Sequence, residues 1–257
     1  MKHAVLTTVA AISAAALAAF GGYVFCADEL NAGVQLYSGI PKYIILVIIS
    51  AFMVNFLHEI AHLLVGSICR MGPKLPEIRI FGSSSVQVYP YGSRHMKARM
   101  IATAIAGPVF DLLLIALGIV ALAVPKVPSY LCVFMPYAFY EFLINALPLE
   151  YKSGKTDGLV VWELITNKPT AQVMLAILKI QGIVHSGKAL SGIDEKLLLD
   201  VPQLPEDDEN FIILTELRYE YYNAVGNETE AQKYLSRFKD ITGCLPEQYG
   251  DNKDGNK

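Results

Sequence analysis

The chain has 257 residues, room for one or two domains, and 53% of them are hydrophobic. A net charge of −3 offers no electrostatic footprint for nucleic acid, and a mean hydropathy of +0.39 points to an integral membrane protein in a lipid bilayer. The four cysteines, Cys26, Cys69, Cys132 and Cys244, form no Cys-x-x-Cys pair, which argues against a zinc ribbon or a disulfide framework.

Residues 1–42 read as an N-terminal membrane helix, or a signal-like segment, and its link. The apolar run 4–26 spans about 22 residues, long for a signal core and right for a membrane span. No clean Ala-x-Ala cleavage site precedes Ala27, so a retained helix is expected. A second span is expected over 43–68. The segment 69–99 that follows is the most basic of the chain, with Arg70, Lys74, Arg79, Arg94, Lys97 and Arg99. Under the positive-inside rule it lies in the cytoplasm, as in a bacterial cytoplasmic membrane. Within it, Glu77–Phe81 and Ser85–Tyr89 alternate apolar and polar residues around Gly82-Ser83-Ser84, the pattern of a β-hairpin. Either this is a plain surface hairpin, or Ile78, Ile80, Val86 and Val88 lie on strands that an extended peptide can join.

A third span is expected over 100–124, carrying Ala106-Gly107-Pro108 and the carboxylate Asp111. A fourth is expected over 129–149, carrying Glu141 and ending in Asn145-Ala-Leu-Pro148. A polar link runs from Glu150 to Asp157-Gly158. Residues 159–257 change character and read as a small helical cytoplasmic domain. Leu159–Ile165 and Thr170–Val184 are short apolar helical segments, and 185–210 is polar. Residues 210–225 and 228–242 form a helical hairpin turned at Gly226-Asn227. Its apolar faces carry Phe211, Leu214, Leu217 and Tyr221, and Ala231, Leu235 and Phe238. Such a pair is a candidate surface for a cytoplasmic protein partner. A polar tail, 251–257, closes the chain. The expected fold is therefore mainly α: a polytopic membrane helix bundle of about four spans, with a β-hairpin between spans two and three. Residues 43–158 form its core.

The chemistry concentrates in Val54–Val65, which carries His58-Glu59-x-x-His62 inside the second apolar run. Residues four apart stack on one helical face, so both imidazoles can reach one zinc ion, with Glu59 beside them as general base. Ionisable groups are costly in a bilayer, and a shared metal gives three of them one reason to be there. His62 precedes Arg70 by eight residues, which sets the site roughly 12 Å inside the cytoplasmic boundary. A catalytic zinc site takes a third protein ligand. His3, His95 and His185 lie in unfavourable places, leaving Asp111, Glu141, Glu150 and Asp157 as carboxylate candidates. Asp111 reads more readily as a partner to a neighbouring helix than as a ligand.

His58-Glu59-x-x-His62, Ala106-Gly107-Pro108, and Asn145-x-x-Pro148 followed by Asp157-Gly158 together resemble the site-2 protease family of intramembrane zinc metalloproteases. The resemblance covers residues 43–165. It implies that His58, His62 and Asp157 hold one zinc ion, that Glu59 is the base, and that Asn145 binds the substrate backbone or polarises the scissile carbonyl. It also implies that the 77–89 hairpin presents a transmembrane protein substrate. Two features depart from the family. Eight residues, Leu149 to Thr156, separate Pro148 from Asp157, more than in many members, and Asp111 stands where asparagine is common. No PDZ-like insertion separates the second and third spans. The competing readings are a non-enzymatic scaffold acting through its C-terminal helices, and a metal-transporting protein lined by His58, His62, Asp111 and Glu141.

Overall fold

The computed structural model describes residues 2–33, 36–74, 88–124, 127–151 and 154–243. Three of its helices are long and apolar enough to cross a membrane: α1 (Lys2–Asn31), α2 (Leu36–Ile68) and α3 (Met96–Ala123). Their apolar stretches of 27, 32 and 28 residues exceed the roughly 20 residues that a hydrocarbon core of about 30 Å requires. The chain divides into two compact units. One comprises Met1–Cys69, Pro73–Val88 and Arg99–Trp162, and the other Arg70–Gly72, Tyr89–Ala98 and Glu163–Lys257.

In the first unit the helices are sorted as a bilayer demands. Along α2, Ser50, Val54, His58 and His62 recur every fourth residue and are buried, while Ile44, Ile45, Ile48, Ile49 and Phe52 are exposed. The polar stripe faces protein and the apolar stripe faces outward, the reverse of a helix in water. α1 is built into this packing. The Tyr43 hydroxyl donates to Ala18 O at 2.8 Å, and its ring lies on Gly21 and Gly22, where any Cβ would come within 2.9 Å of it. Ser50 Oγ donates to Val133 O at 2.8 Å, tying α2 to the segment after α3.

The fourth expected span differs. Ser129–Phe134 forms a 3-10 turn, and α4 (Met135–Ala146) has 12 residues, only about 18 Å. Pro136 sits in the first turn of α4, where its missing N–H costs nothing. At the other end Pro148 drives the preceding residue, Leu147, into an extended conformation, with φ −85° and ψ 144°. The two prolines thus bracket a helix shorter than the apolar run.

After α4 the chain makes a small antiparallel hairpin of β1 (Glu150–Tyr151) and β2 (Gly154–Lys155), pairing Glu150 with Lys155 and Tyr151 with Gly154. α5 (Asp157–Ile165) follows. Of the hairpin expected at 77–89, Val88 forms an antiparallel bridge with Pro73. Ile78, Ile80 and Val86 lie outside the described residues.

The second unit holds α6 (Pro169–His185), the short α7 (Lys196–Leu199), α8 (Glu209–Ala224) and α9 (Glu228–Gly243). Asp208 caps α8 by accepting from Asn210 N at 2.8 Å. Gly226, at φ 79°, makes the turn between α8 and α9. The core joins Val173, Ile177 and Ile180 of α6 to Leu198, Phe211, Leu214, Tyr222 and Ala231. Arg218 donates through Nε and Nη2 to Leu198 O, at 2.9 and 2.7 Å. The Tyr222 hydroxyl donates to Glu195 Oε1 at 2.7 Å, while its ring stacks on Tyr234.

Candidate metal centre

The four-residue period of α2 places His58 and His62 on the same buried face. α3 runs antiparallel beside it in a fixed register. Asp111 faces His58, Gly107 faces both histidines, and Thr103 lies against both His62 and Gly66. These α3 residues are themselves four apart, so one stripe of α3 reads one stripe of α2.

Both outer ring nitrogens are engaged. His62 Nδ1 lies 2.7 Å from Thr103 O. A carbonyl only accepts, so Nδ1 carries the proton and Nε2 of the neutral ring is a bare lone pair. His58 Nδ1 lies 2.8 Å from Asp111 Oδ2, and a carboxylate there fixes the same tautomer. Pro108, inside α3, has no N–H for the carbonyl of Ala104, the residue next to Thr103.

The third member arrives from the loop. Thr156 is buried and acts as a clasp: its hydroxyl donates to Leu147 O at 2.6 Å, lies 3.0 Å from Leu149 O, and accepts from Leu149 N and Leu159 N at 3.1 and 3.2 Å. Thr156 N also donates to Leu149 O at 3.1 Å. The β1–β2 hairpin therefore absorbs the extra residues and returns the chain to the end of α4. Gly158 is needed at the crossing, because a Cβ there would lie 2.2 Å from Ala146 O. Asp157 then opens α5, where the helix N-terminus favours a carboxylate. Burial pushes the Asp157 carboxyl up, but hydrogen bonds and charge from His62 and His58 outweigh it and hold it below the usual carboxylate range.

His58 Nε2, His62 Nε2 and Asp157 Oδ2 converge. Their separations are 3.2 Å between the nitrogens, 3.5 Å from His58 to Asp157 and 3.3 Å from His62 to Asp157. Ligands bound tetrahedrally at 2.0–2.1 Å stand about 3.3–3.4 Å apart, so the triangle has the edge lengths of such a site. With Nδ1 of each ring committed outward, the two Nε2 atoms and Asp157 Oδ2 lie close enough to share either a proton or a cation. The group can hold a metal ion. The Asp157 side chain remains a quarter exposed, so the site is open on one side. On another side a Cβ at Gly107 would stand 2.4 Å from His62 Nε2 and 2.5 Å from His58 Nε2, so only glycine leaves the cradle clear.

Among the other expected residues, Glu59 is buried next to His58 on α2. Asn145, on the last turn of α4, donates through Nδ2 to Glu141 Oε2 at 2.9 Å. Glu141 thus finds its partner one turn along its own helix. Asp111 contacts His58 and stays outside the ligand triangle. Thr103 and Thr156 are contributors that residue types did not reveal. Thr103 acts through a backbone carbonyl, which leaves no mark in a sequence. Thr156 is an N-cap before an Asp-Gly pair, a signal that was there to use. Comparison of the chain with protein-family models, curated proteins and solved structures finds no match.

Proposed function

We propose that this chain is an intramembrane zinc metalloprotease of the site-2 type, hydrolysing peptide bonds in or near transmembrane segments of other membrane proteins. The observation that carries the reading is the convergence, at tetrahedral spacing, of Asp157 with His58 and His62 of a helix apolar enough to span a bilayer. Two nitrogens, one carboxylate oxygen and an open side match the donor set of a catalytic zinc. Zinc there would act as a Lewis acid, lowering the pKa of a water and polarising a carbonyl oxygen.

The chain's own residues supply the rest. Glu59 accepts the proton of the attacking water and delivers it to the amide nitrogen as the C–N bond breaks. Asn145 has one N–H committed to Glu141 and a second to offer the scissile carbonyl or the neighbouring substrate backbone. A substrate helix hides its amides in internal hydrogen bonds, so it must be drawn out before it can react. Pro73 and Val88 form an antiparallel bridge next to the second span, where an extended substrate segment could be held by strand addition. Under the positive-inside rule the basic residues from Arg70 to Arg99 set this end at the cytoplasmic face.

The test compares membranes from cells producing wild type or Glu59→Gln, which keeps the shape and removes the base. New peptide termini within or beside apolar segments are expected with wild type alone. The same termini from both proteins would refute the proposal and favour a scaffold acting through α8 and α9.

A further inference from the structure

Among the described residues, Asp111 is the one fully buried carboxylate beside the candidate metal site, and the proposed chemistry leaves it unused. One oxygen, Oδ2, accepts from His58 Nδ1. The other, Oδ1, is buried with no hydrogen-bond partner among the described residues. A half-satisfied carboxylate in an apolar helix bundle opposes folding, since its second oxygen has lost water and gained nothing. Packing alone therefore gives no reason for an acid here; a leucine of similar size would pack without that cost. What the acid does is hold one ring.

We propose that Asp111 is the positioning residue of the metal centre: it fixes the tautomer and rotation of His58 so that Nε2 points into the ligand triangle. This rests on the metal-site reading above. Three observations carry it. The Asp111–His58 contact of 2.8 Å is the counterpart of the 2.7 Å contact between Thr103 O and His62. The two holders sit eight residues apart on α3, flanking Gly107, so each histidine is gripped from the same helix at matching depth. His62 is held by a backbone carbonyl, which no substitution removes. His58 is held at Nδ1 by a side chain, so that contact can be removed by substitution at residue 111. Outer partners of metal-bound histidines commonly change metal affinity by 10–100-fold.

The test uses the full chain purified in detergent, with Zn2+ affinity measured by competition against a chromophoric chelator and Co2+ absorption reporting ligand geometry. Asp111→Asn can still turn its carbonyl oxygen to His58 Nδ1, and it should bind Zn2+ within about tenfold of wild type with a similar Co2+ spectrum. Asp111→Leu cannot accept, and should bind roughly 10–100-fold more weakly with an altered spectrum. Metal-free Asp111→Leu loses the unsatisfied oxygen but also leaves the buried His58 Nδ1 without its acceptor, and these opposing effects should keep its melting temperature close to that of the metal-free wild type. Asp111→Ala, which demands less room, repeats the affinity measurement should leucine not be accommodated. Wild-type affinity in both the leucine and alanine variants would overturn the assignment. So would a fall in metal-free stability that asparagine does not restore, which marks a structural role. A wild type that binds neither Zn2+ nor Co2+ would overturn both this assignment and the metal-site reading, whereas metal binding without proteolysis removes only the protease reading.

Discussion

Gly107→Ala is the sharpest perturbation of the metal centre. The added Cβ would stand 2.4 Å from His62 Nε2 and 2.5 Å from His58 Nε2, against an ordinary contact of 3.4 Å or more. Relief needs a movement of about 1 Å between α2 and α3 or of the two rings, because a packed interior has no slack to share it out. A helix shift of that size would stretch Asp111–His58 from 2.8 Å and Thr103–His62 from 2.7 Å beyond hydrogen-bonding reach. A metal site tolerates about 0.2 Å in its ligand distances, so the methyl group should lower affinity by at least about 100-fold. Substituting a helical glycine by alanine otherwise favours the helix by up to about 1 kcal/mol, so the protein should still fold. The assay is elemental analysis of the purified chain after Zn2+ loading and desalting, alongside circular dichroism. Near-stoichiometric zinc in wild type and almost none in Gly107→Ala, at equal helicity, is expected. Full zinc occupancy in Gly107→Ala would refute the argument that α3 closes on the ligand nitrogens.

Glu59→Gln should retain zinc by the same elemental analysis while substrate cleavage falls by about 10²–10⁴-fold, the usual worth of a general base; loss of zinc would mean that Glu59 is a ligand. Gly158→Ala should drive the start of α5 away from Ala146 O and lower zinc occupancy as Asp157→Ala does, with α1–α3 intact by circular dichroism; unchanged occupancy would show that the crossing can open without moving Asp157. Thr156→Val removes the hydroxyl that caps α5 and clasps Leu147 and Leu149, and should cost about 1–2 kcal/mol in chemical denaturation. In the second unit, Arg218→Ala deletes both donors to Leu198 O and should cost about 2–3 kcal/mol by the same measurement while leaving zinc content unchanged.

What was legible in the sequence was whatever is local and periodic. The apolar runs that become α1–α3 are long enough to read from composition. The pairing of His58 with His62 follows from the helical period alone. The fourth run was less legible in its helical extent, because an apolar stretch announces burial or lipid contact, not helix continuity. Pro136 and Pro148 set where the helix begins and ends, and proline at a first turn looks the same in a sequence as proline in mid-helix. The third candidate ligand could not be read from spacing. Four carboxylates were available, and the choice depends on a fold-back whose length varies freely provided its ends meet. Thr156 and Gly158 make them meet, one by hydrogen bonds and the other by lacking a side chain.

The three candidate ligands stand on supports of different stiffness, and this bears on how the site would assemble. His58 and His62 share a long helix and are each gripped by α3, so their two nitrogens are set before any ion arrives. Asp157 stands at the first turn of a nine-residue helix, held back by a two-residue hairpin and the Thr156 clasp. Local opening is easiest where few buried apolar contacts hold a segment, and within α5 only Leu164 is buried. We expect the histidine pair to be preset and Asp157 to close on an ion, which would join the loop to the membrane helix. Hydrogen exchange of Leu159 N, whose partner is the Thr156 hydroxyl, reports that joining directly. Saturating zinc should slow its exchange by the factor by which zinc favours the closed loop, while amides in the middle of α2 stay unchanged. Equal exchange at Leu159 with and without zinc would mean that the loop is already locked by Thr156 and that Asp157 is as preorganised as the histidines.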